Sequence, residues 1–267
     1  MIERPGIHRT AEVHRTARLG AVEVGPYAVV GRDVVMSDGG RIGAHAVVEG
    51  PTEIGPQCVI SAHAVIGGAP QDRRHDPQVR TVLQIGAHNV FREHTTAHRG
   101  SSAGTGVTRI GSGNLFMVGS HVGHDVVVGD EVTLANAVAL GGHAEVGDGA
   151  FIGGLAAIHQ HVRIGCRAMV AGAAVCTQDV LPFTLVQGDR AQVVGLNRVG
   201  LRRAGLSSAS IAALQRALVD LFEGPGSRTE RIARLLAHSE PEVVEFARFA
   251  GTSQRGLCGP RRQRPRS

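Results

Sequence analysis

The stretch Ile110–Cys176, IGSGNLFMVGSHVGHDVVVGDEVTLANAVALGGHAEVGDGAFIGGLAAIHQHVRIGCRAMVAGAAVC, decides the fold. An apolar residue stands at every sixth position: Ile110, Phe116, Val122, Val128, Leu134, Leu140, Val146, Ile152, Ile158, Ile164, Val170 and Cys176. The same step runs from Val24 through Val30, Met36, Ile42, Val48, Ile54 and Ile60 to Ile66, and it opens the chain at Ile7, Val13 and Leu19. A period of six is neither helical nor a simple strand alternation. It is the signature of a parallel β-helix. The second residue of a six is often glycine, as at Gly111, Gly129, Gly147 and Gly165, and the fifth is often Ala, Thr or Val. Each hexad reads as one short strand and a corner, with the apolar residue inward and the glycine permitting the turn. Three hexads close a triangular coil of 18 residues, and coils stack about 4.8 Å apart. With the short run Ile85, Phe91 and Ala97, the series predict roughly nine coils.

Outside these series the register breaks. One residue is missing between Leu19 and Val24. Residues 68–84, GAPQDRRHDPQVRTVLQ, are a polar, Pro-containing insertion, and a second spans about 100–109. Loops that leave a regular solenoid carry function. The six-period stops after Val180 and Pro182, and helical patterns follow. Ser207 caps a predicted helix carrying Ile211, Leu214, Leu218 and Leu221, a second covers 228–237, and a third begins at Glu240-Pro241. The expected division is a β-helix over 1–186, an α-helical domain over 192–257, and a disordered basic tail over 258–267.

The chain has 267 residues and a net charge of +5, and every basic residue is Arg. No apolar run approaches the ~20 residues of a membrane span, and the first ten residues hold no signal core. The expectation is a cytoplasmic protein with no integral membrane segment. Aromatics are 3% of the chain, so its basic excess lacks the aromatic interleaving of a nucleic-acid face, and no nucleic-acid partner is expected. Cys58, Cys166, Cys176 and Cys258 form no CxxC pair and read as reduced thiols without a zinc motif.

Of the fourteen histidines, His45, His63, His88 and His94 all stand at the fourth place of a hexad and read as ordinary corner residues. The group from His121 onward differs: His121-Val-Gly-His124-Asp125, Gly141-Gly142-His143 and Ile158-His159-Gln160-His161. Residues 18 apart lie one above another. His124, Gly142 and Gln160 then form one column, and Asp125, His143 and His161 the next. A His, a carboxylate, a second His, bare glycine backbone and an amide converge on one face, the composition of an acid–base site with an oxyanion donor.

The hexads resemble those of the hexapeptide-repeat acyltransferases, whose β-helix is left-handed. The motifs HVGHD (121–125), LGGH (140–143), IHQH (158–161), PQDRR (70–74) and AHRG (97–100) are similar to those of the UDP-N-acetylglucosamine O-acyltransferases. The implied fold class is mainly β, a left-handed parallel β-helix followed by a small helical C-terminal domain. The implied activity moves a 3-hydroxyacyl chain from acyl carrier protein to the 3-hydroxyl of the sugar nucleotide, the first step of lipid A biosynthesis. It needs no metal and no cofactor beyond the carrier's phosphopantetheine. Carried over by motif, His124 is the general base, Asp125 orients it, and the Gly142 N–H binds the oxyanion. His121 and His143 contact substrate with Gln160 beside them, Asp72 contacts the sugar, and His98 lies on the acyl or sugar side. Arg74 stands where the family has Lys. Asn197 and Arg203 belong to the nucleotide, although Val199 and Ala204 depart from the family's acidic and basic residues. Met169 and Gly172 measure the acyl chain. The resemblance also implies a homotrimer with sites between subunits, and Arg73, Arg74, Arg80, Arg163 and Arg167 as a surface steering the acidic carrier protein. The rival readings are N-acylation of a 3-amino or glucosamine nucleotide sugar, a zinc-dependent carbonic anhydrase using His121, His124 and His143, and a non-catalytic scaffold.

Overall fold

The computed structural model describes residues 6–261. Short strands wind into three sheets, parallel throughout except for one final strand. Sheet I has nine strands, from Glu12–Val13 to Val175–Cys176. Sheet II has eight, from Arg18–Leu19 to Arg163–Ile164. Sheet III has ten, from Glu23–Val24 to Thr184–Gln187, closed by the antiparallel strand Gln192–Leu196. Val122 pairs with Leu140, Leu140 with Ile158 and Ile158 with Cys176, the register of an 18-residue coil. The expected fold class, a parallel β-helix with C-terminal helices, is the observed one.

The sixth-position residues fill the interior. Ile42, Ile60, Ile66, Leu134, Leu140 and Ile152 are fully buried, each side chain worth about 1.5–3 kcal/mol on leaving water. Phe91 and Phe116 fit because they stack on successive coils, centroids 4.6 Å apart.

The corners explain where histidine accumulates. His45, His63, His88, His94, Asp125, His143 and His161 all have φ between 57° and 63°. Asn, Asp and His tolerate this left-handed region better than other side chains, so a corner that is not glycine selects them.

Both insertions leave the corner between sheets I and II. Ile54 pairs with Ile85, and Ile85 with Ile110, so the coil simply resumes after each excursion. The loops are shorter than the sequence suggested. Residues 82–84 and 107–109 belong to strands Val82–Ile85 and Val107–Ile110, which pair with each other.

The three outer faces differ in chemistry. Sheet II presents Arg18, Glu53, Gln84, Arg109, Glu145 and Arg163. Sheet I presents Val29, Val47, Val65, Ala139, Ala157 and Val175. Sheet III, from its third strand on, presents Val59, Val90, Leu115, Phe151, Met169 and Leu185.

The helical region starts later than expected, because Gln192–Leu196 alternates buried and exposed residues and joins sheet III. The helices are α1 (Arg198–Arg203), α2 (Ser208–Glu223), α3 (Arg228–Leu236) and α4 (Pro241–Gly251). Ser207 caps α2 by accepting from the Ser210 N–H, Ser227 and Glu230 form a capping box on α3, and Pro241 opens α4. Helix α4 rests on the solenoid. The Arg163 guanidinium lies 4.3 Å from the Phe249 ring centroid, and the Cys166 thiol donates to Glu245 at 2.8 Å. Arg163 also pairs with Glu145 at 3.3 Å, so it is an anchor of the helical region rather than a free steering charge. The start of the expected tail is structured. Cys258 is buried, its N–H donates to the Asp179 carbonyl, and the Arg261 N–H donates to the Val193 carbonyl. The remainder of that tail, 262–267, lies outside the described residues. No helix among the described residues is long and apolar enough to cross a membrane.

Candidate active site

The corner between sheets I and II carries His124 and Asp125 on one coil, Gly142 and His143 on the next, and Gln160 and His161 on the third. The His143 N–H donates to the His124 carbonyl at 2.9 Å, and the His161 N–H to the Gly142 carbonyl at 3.1 Å, which locks the columns in register. The His143 and His161 rings stack at 4.5 Å, and His124 meets His143 edge-on at 5.2 Å.

Asp125 is buried and saturated. Its Oδ2 accepts from His124 Nδ1 at 2.8 Å and from the Ser101 N–H at 2.9 Å. Its Oδ1 accepts from Thr105 Oγ1 at 2.8 Å and the Gly106 N–H at 2.9 Å. Burial alone would raise this carboxyl, but the hydrogen bonds from His124, Ser101 and Thr105 outweigh it and hold it below its ordinary value. The group is therefore a carboxylate, which only accepts. Nδ1 of His124 must carry the proton, and Nε2 is left as the basic nitrogen.

Nε2 sits over bare backbone. A Cβ on Gly142 would fall 2.7 Å from His124 Nε2 and Cε1, so only glycine fits there. A cavity of about 480 Å³ opens beside it, lined by Gln71, His98, His121, His124, Gly142 and Gln160 among others. His121 is held by Thr96 Oγ1 at 2.7 Å from its Nδ1, and its ring meets His98 edge-on at 4.9 Å. Burial, and then the neighbouring His121, His124 and Arg99, pull the His98 imidazole down to about 4. Burial lowers His121 as well, and it lowers His143 despite the opposing charge of Asp125. Among the described residues His98 Nδ1 is buried with no partner.

Asp72 lies in the first insertion. Its oxygens accept from the Arg74 N–H, Nε and Nη2 and from Ser101 Oγ, at 2.9 to 3.1 Å. Hydrogen bonds from Arg74 hold its carboxyl well below the usual range. Arg73 is exposed and pairs with no carboxylate among the described residues, and Arg80 lies 3.7 Å from Asp33.

Other expected site residues stand elsewhere on this chain. Met169 is on the outer face of sheet III, and Gly172 is at the corner between sheets III and I. Asn197 caps α1. Its Oδ1 accepts from the Gly200 N–H at 3.1 Å, and its Nδ2 donates to the Arg167 carbonyl at 3.0 Å. Arg203 is exposed in the last turn of α1, Val199 is exposed, and Ala204 is the helix's C-cap. None of these lines the cavity.

Sequence reasoning flagged the second insertion but named none of the residues that matter in it: Ser101, Thr105 and Gly106 on the Asp125 carboxylate. Thr108, which accepts from the Asp125 N–H at 2.8 Å, was missed too. The usable signal was the run SSAGTG at 101–106, small hydroxyl and glycine residues beside a corner that must bury a carboxylate. A Cβ on Gly104 would lie 2.5 Å from Asp125 Oδ2.

His124, Asp125 and His143 each bring a ligand atom to within 4.8 Å of the others, a spacing that suits a metal ion. The hydrogen bonding fits that role poorly, because both Asp125 oxygens already accept two donors each and His124 Nδ1 is committed to one of them. The thiols are no better as nucleophiles or ligands. Burial raises Cys258 to about 11 and pushes Cys58, Cys166 and Cys176 upward.

A model of the UDP-N-acetylglucosamine O-acyltransferase family, its second domain, matches residues 179–258. An acyl-carrier-protein–UDP-N-acetylglucosamine O-acyltransferase of Caulobacter vibrioides is 50% identical over 235 residues, 86% of this chain and 89% of that protein. One from Thermodesulfovibrio yellowstonii is 41% identical over 255 residues, 94% of this chain and 98% of its own. The solved structure of LpxA from Acinetobacter baumannii superposes with a TM-score of 0.91 at 34% identity, covering 94% of this chain and 99% of that one. The His124–Asp125 corner thus sits in a chain that matches these enzymes nearly end to end, and the chain belongs to the UDP-N-acetylglucosamine O-acyltransferase family.

Proposed function

We propose that this chain transfers a 3-hydroxyacyl group from acyl carrier protein to the 3-hydroxyl of UDP-N-acetylglucosamine, the first step of lipid A biosynthesis, with His124 as general base. The observation that carries this reading is the His124–Asp125 pair held over the bare Gly142 backbone, in a chain 50% identical to a relative named for that reaction. Nε2 of His124 takes the proton of the sugar hydroxyl as that oxygen attacks the thioester carbonyl carbon. Asp125 keeps the ring oriented and stabilises the imidazolium that forms. The carbonyl oxygen becomes an oxyanion, for which the Gly142 N–H is the nearby donor. Collapse breaks the C–S bond, and the imidazolium returns its proton to the departing phosphopantetheine thiolate. His121 and Gln160 border the cavity where the acyl and sugar groups meet, and His143 stands edge-on to the His124 ring without lining it. His98, neutral at pH 7, offers an uncharged imidazole to the same space.

The acceptor's remaining contacts are Asp72 with Arg74 for the sugar, and Asn197 and Arg203 for the nucleotide. The last two stand away from the cavity of their own chain, which favours a homotrimer with each site shared between subunits. The apolar outer faces of sheets I and III, against the charged face of sheet II, support that assembly. Met169 and Gly172 then belong to the far end of an acyl groove closed by a neighbouring copy. Arg73 and Arg80 are exposed near the first insertion and suit the acidic carrier protein. The working compartment is the cytoplasm.

The test is acyl transfer from carrier proteins bearing 3-hydroxyacyl chains of stepped length, offered both UDP-N-acetylglucosamine and its 3-amino analogue. Transfer to the hydroxyl acceptor is the expected result, and acylation of the amino sugar alone overturns it. With Gly172→Met in the same assay, the preferred chain shortens, each excluded methylene costing about 0.8 kcal/mol, or about fourfold in binding.

A further inference from the structure

The second insertion does more than close a loop. Ser101 is fully buried, and two of its hydrogen bonds reach carboxylates of different function. Its backbone N–H donates to Asp125 Oδ2 at 2.9 Å, and its side-chain Oγ donates to Asp72 Oδ2 at 3.1 Å. One residue therefore joins the carboxylate that orients the base to the carboxylate assigned to the sugar. Around it the two insertions are stitched together. The Ser102 N–H donates to His75 Nδ1 at 3.2 Å, and the Asp76 N–H donates to Ser102 Oγ at 2.7 Å. The loop is wound tightly enough that a Cβ on Gly100 would fall 2.1 Å from the Gly106 carbonyl carbon and the Val107 nitrogen. It folds back so that Thr105 Oγ1 and the Gly106 N–H reach Asp125 Oδ1. The two ends of this strap grip Asp125 from both oxygens, while Ser101 Oγ alone reaches outward to Asp72.

We infer that Ser101 is a positioning residue that couples acceptor recognition to base orientation: its hydroxyl sets the Asp72 carboxylate for the sugar, and its backbone, with Thr105, sets Asp125 behind His124. The inference rests on the proposed roles of Asp72 and His124. The division of labour between backbone and hydroxyl has a consequence. Removing the Ser101 hydroxyl leaves the N–H on Asp125 in place and takes from Asp72 its one donor outside Arg74 among the described residues, whereas removing the Thr105 hydroxyl strips a donor from Asp125 and leaves Asp72 untouched. The two substitutions act on opposite ends of the same reaction.

The experiment is steady-state kinetics on the full chain with acyl carrier protein donor and varied UDP-N-acetylglucosamine. Ser101→Ala raises the acceptor KM by about three- to tenfold, the net size of one ordinary hydrogen bond, because Arg74 still holds the Asp72 carboxylate, with a smaller effect on kcat. Ser101→Thr, which keeps a hydroxyl, restores the KM. Thr105→Val lowers kcat about threefold or more and moves the acidic limb of the kcat profile, because the carboxylate behind the base has changed. In a double-mutant cycle, Ser101→Ala and Asp72→Asn are strongly non-additive in acceptor KM, while Thr105→Val and Asp72→Asn add. Equal effects of Ser101→Ala and Thr105→Val on KM and kcat overturn the inference, as does additivity of Ser101→Ala with Asp72→Asn. The underlying reading fails differently: Asp72→Asn alone then leaves the acceptor KM unchanged.

Discussion

Two corners of this solenoid stack aromatic rings, and only one of them has the makings of a catalyst. At the corner between sheets III and I, Tyr27, His45, His63 and His94 stack with centroids 5.1 to 5.2 Å apart. At the corner between sheets I and II, His143 and His161 stack at 4.5 Å with His124 edge-on below. Both columns have the same cause, an 18-residue coil whose corner residue adopts left-handed φ. The first column is exposed, and among the described residues none of its imidazoles hydrogen-bonds to a carboxylate. The second has a buried carboxylate gripped by four donors, glycine under the ring, and two insertions wrapped over it. Imidazoles in register come free with the fold. A site needs a partner that fixes a tautomer and a backbone bare enough to approach.

The comparison breaks most sharply on the histidines themselves. His124→Ala lowers turnover by about 10²–10⁴, while His63→Ala, at the exposed ladder, leaves turnover within about twofold. Equal losses for the two, in the same acyl-transfer assay, would erase the distinction between the corners. The next largest effect belongs to the residue beneath the ring. The place before the corner is Ala44 and Ala62 in the ladder but Gly142 in the site. Gly142→Ala puts a Cβ 2.7 Å from His124 Nε2, so the imidazole must swing away from the attacking hydroxyl. A displacement of that size costs on the order of 10²-fold in kcat. Turnover is the measurement, and near-normal kcat in a folded Gly142→Ala protein would mean His124 works from another position.

The hexad period made the architecture legible before any contact was known, because inward side chains, corners and coil spacing all follow from it. It also placed His124, Gly142 and Gln160 in one column and Asp125, His143 and His161 in the next. The grip on Asp125 was not legible. Ser101, Thr105 and Gly106 come from an insertion, and an insertion obeys no period that would register it against the coil. Asn197 illustrates the reverse problem. Its side chain is occupied capping α1, a local use that no motif comparison reveals. The strand Gln192–Leu196 was hidden for a third reason. It runs antiparallel to the solenoid, so its pairing partner is set by tertiary contact rather than by repeat. The start of the tail, 258–261, is ordered in the same way, by pairing with Asp179 and Val193 rather than by anything in its own composition.

The smallest effect separates the corners by stability rather than rate. His98 packs beside His121, and burial holds it at about 4 against 6.5 for the free group. Between those two values the unfolded chain binds a proton that the folded chain refuses. Stability therefore rises with pH across this window, and it is lost as pH falls from about 6.5 toward 4. The slope is at most about 1.4 kcal/mol per pH unit for one group, and the lowered His121 and His143 act in the same direction. Below 4 both states are protonated at His98, and its contribution to the slope disappears. Denaturant midpoints measured from pH 4.5 to 7 read this directly. His98→Gln, which keeps a polar side chain but cannot titrate, flattens the curve. A His98→Gln curve as steep as the parent's would mean that the acid sensitivity resides in other groups and that the buried imidazole carries no proton penalty.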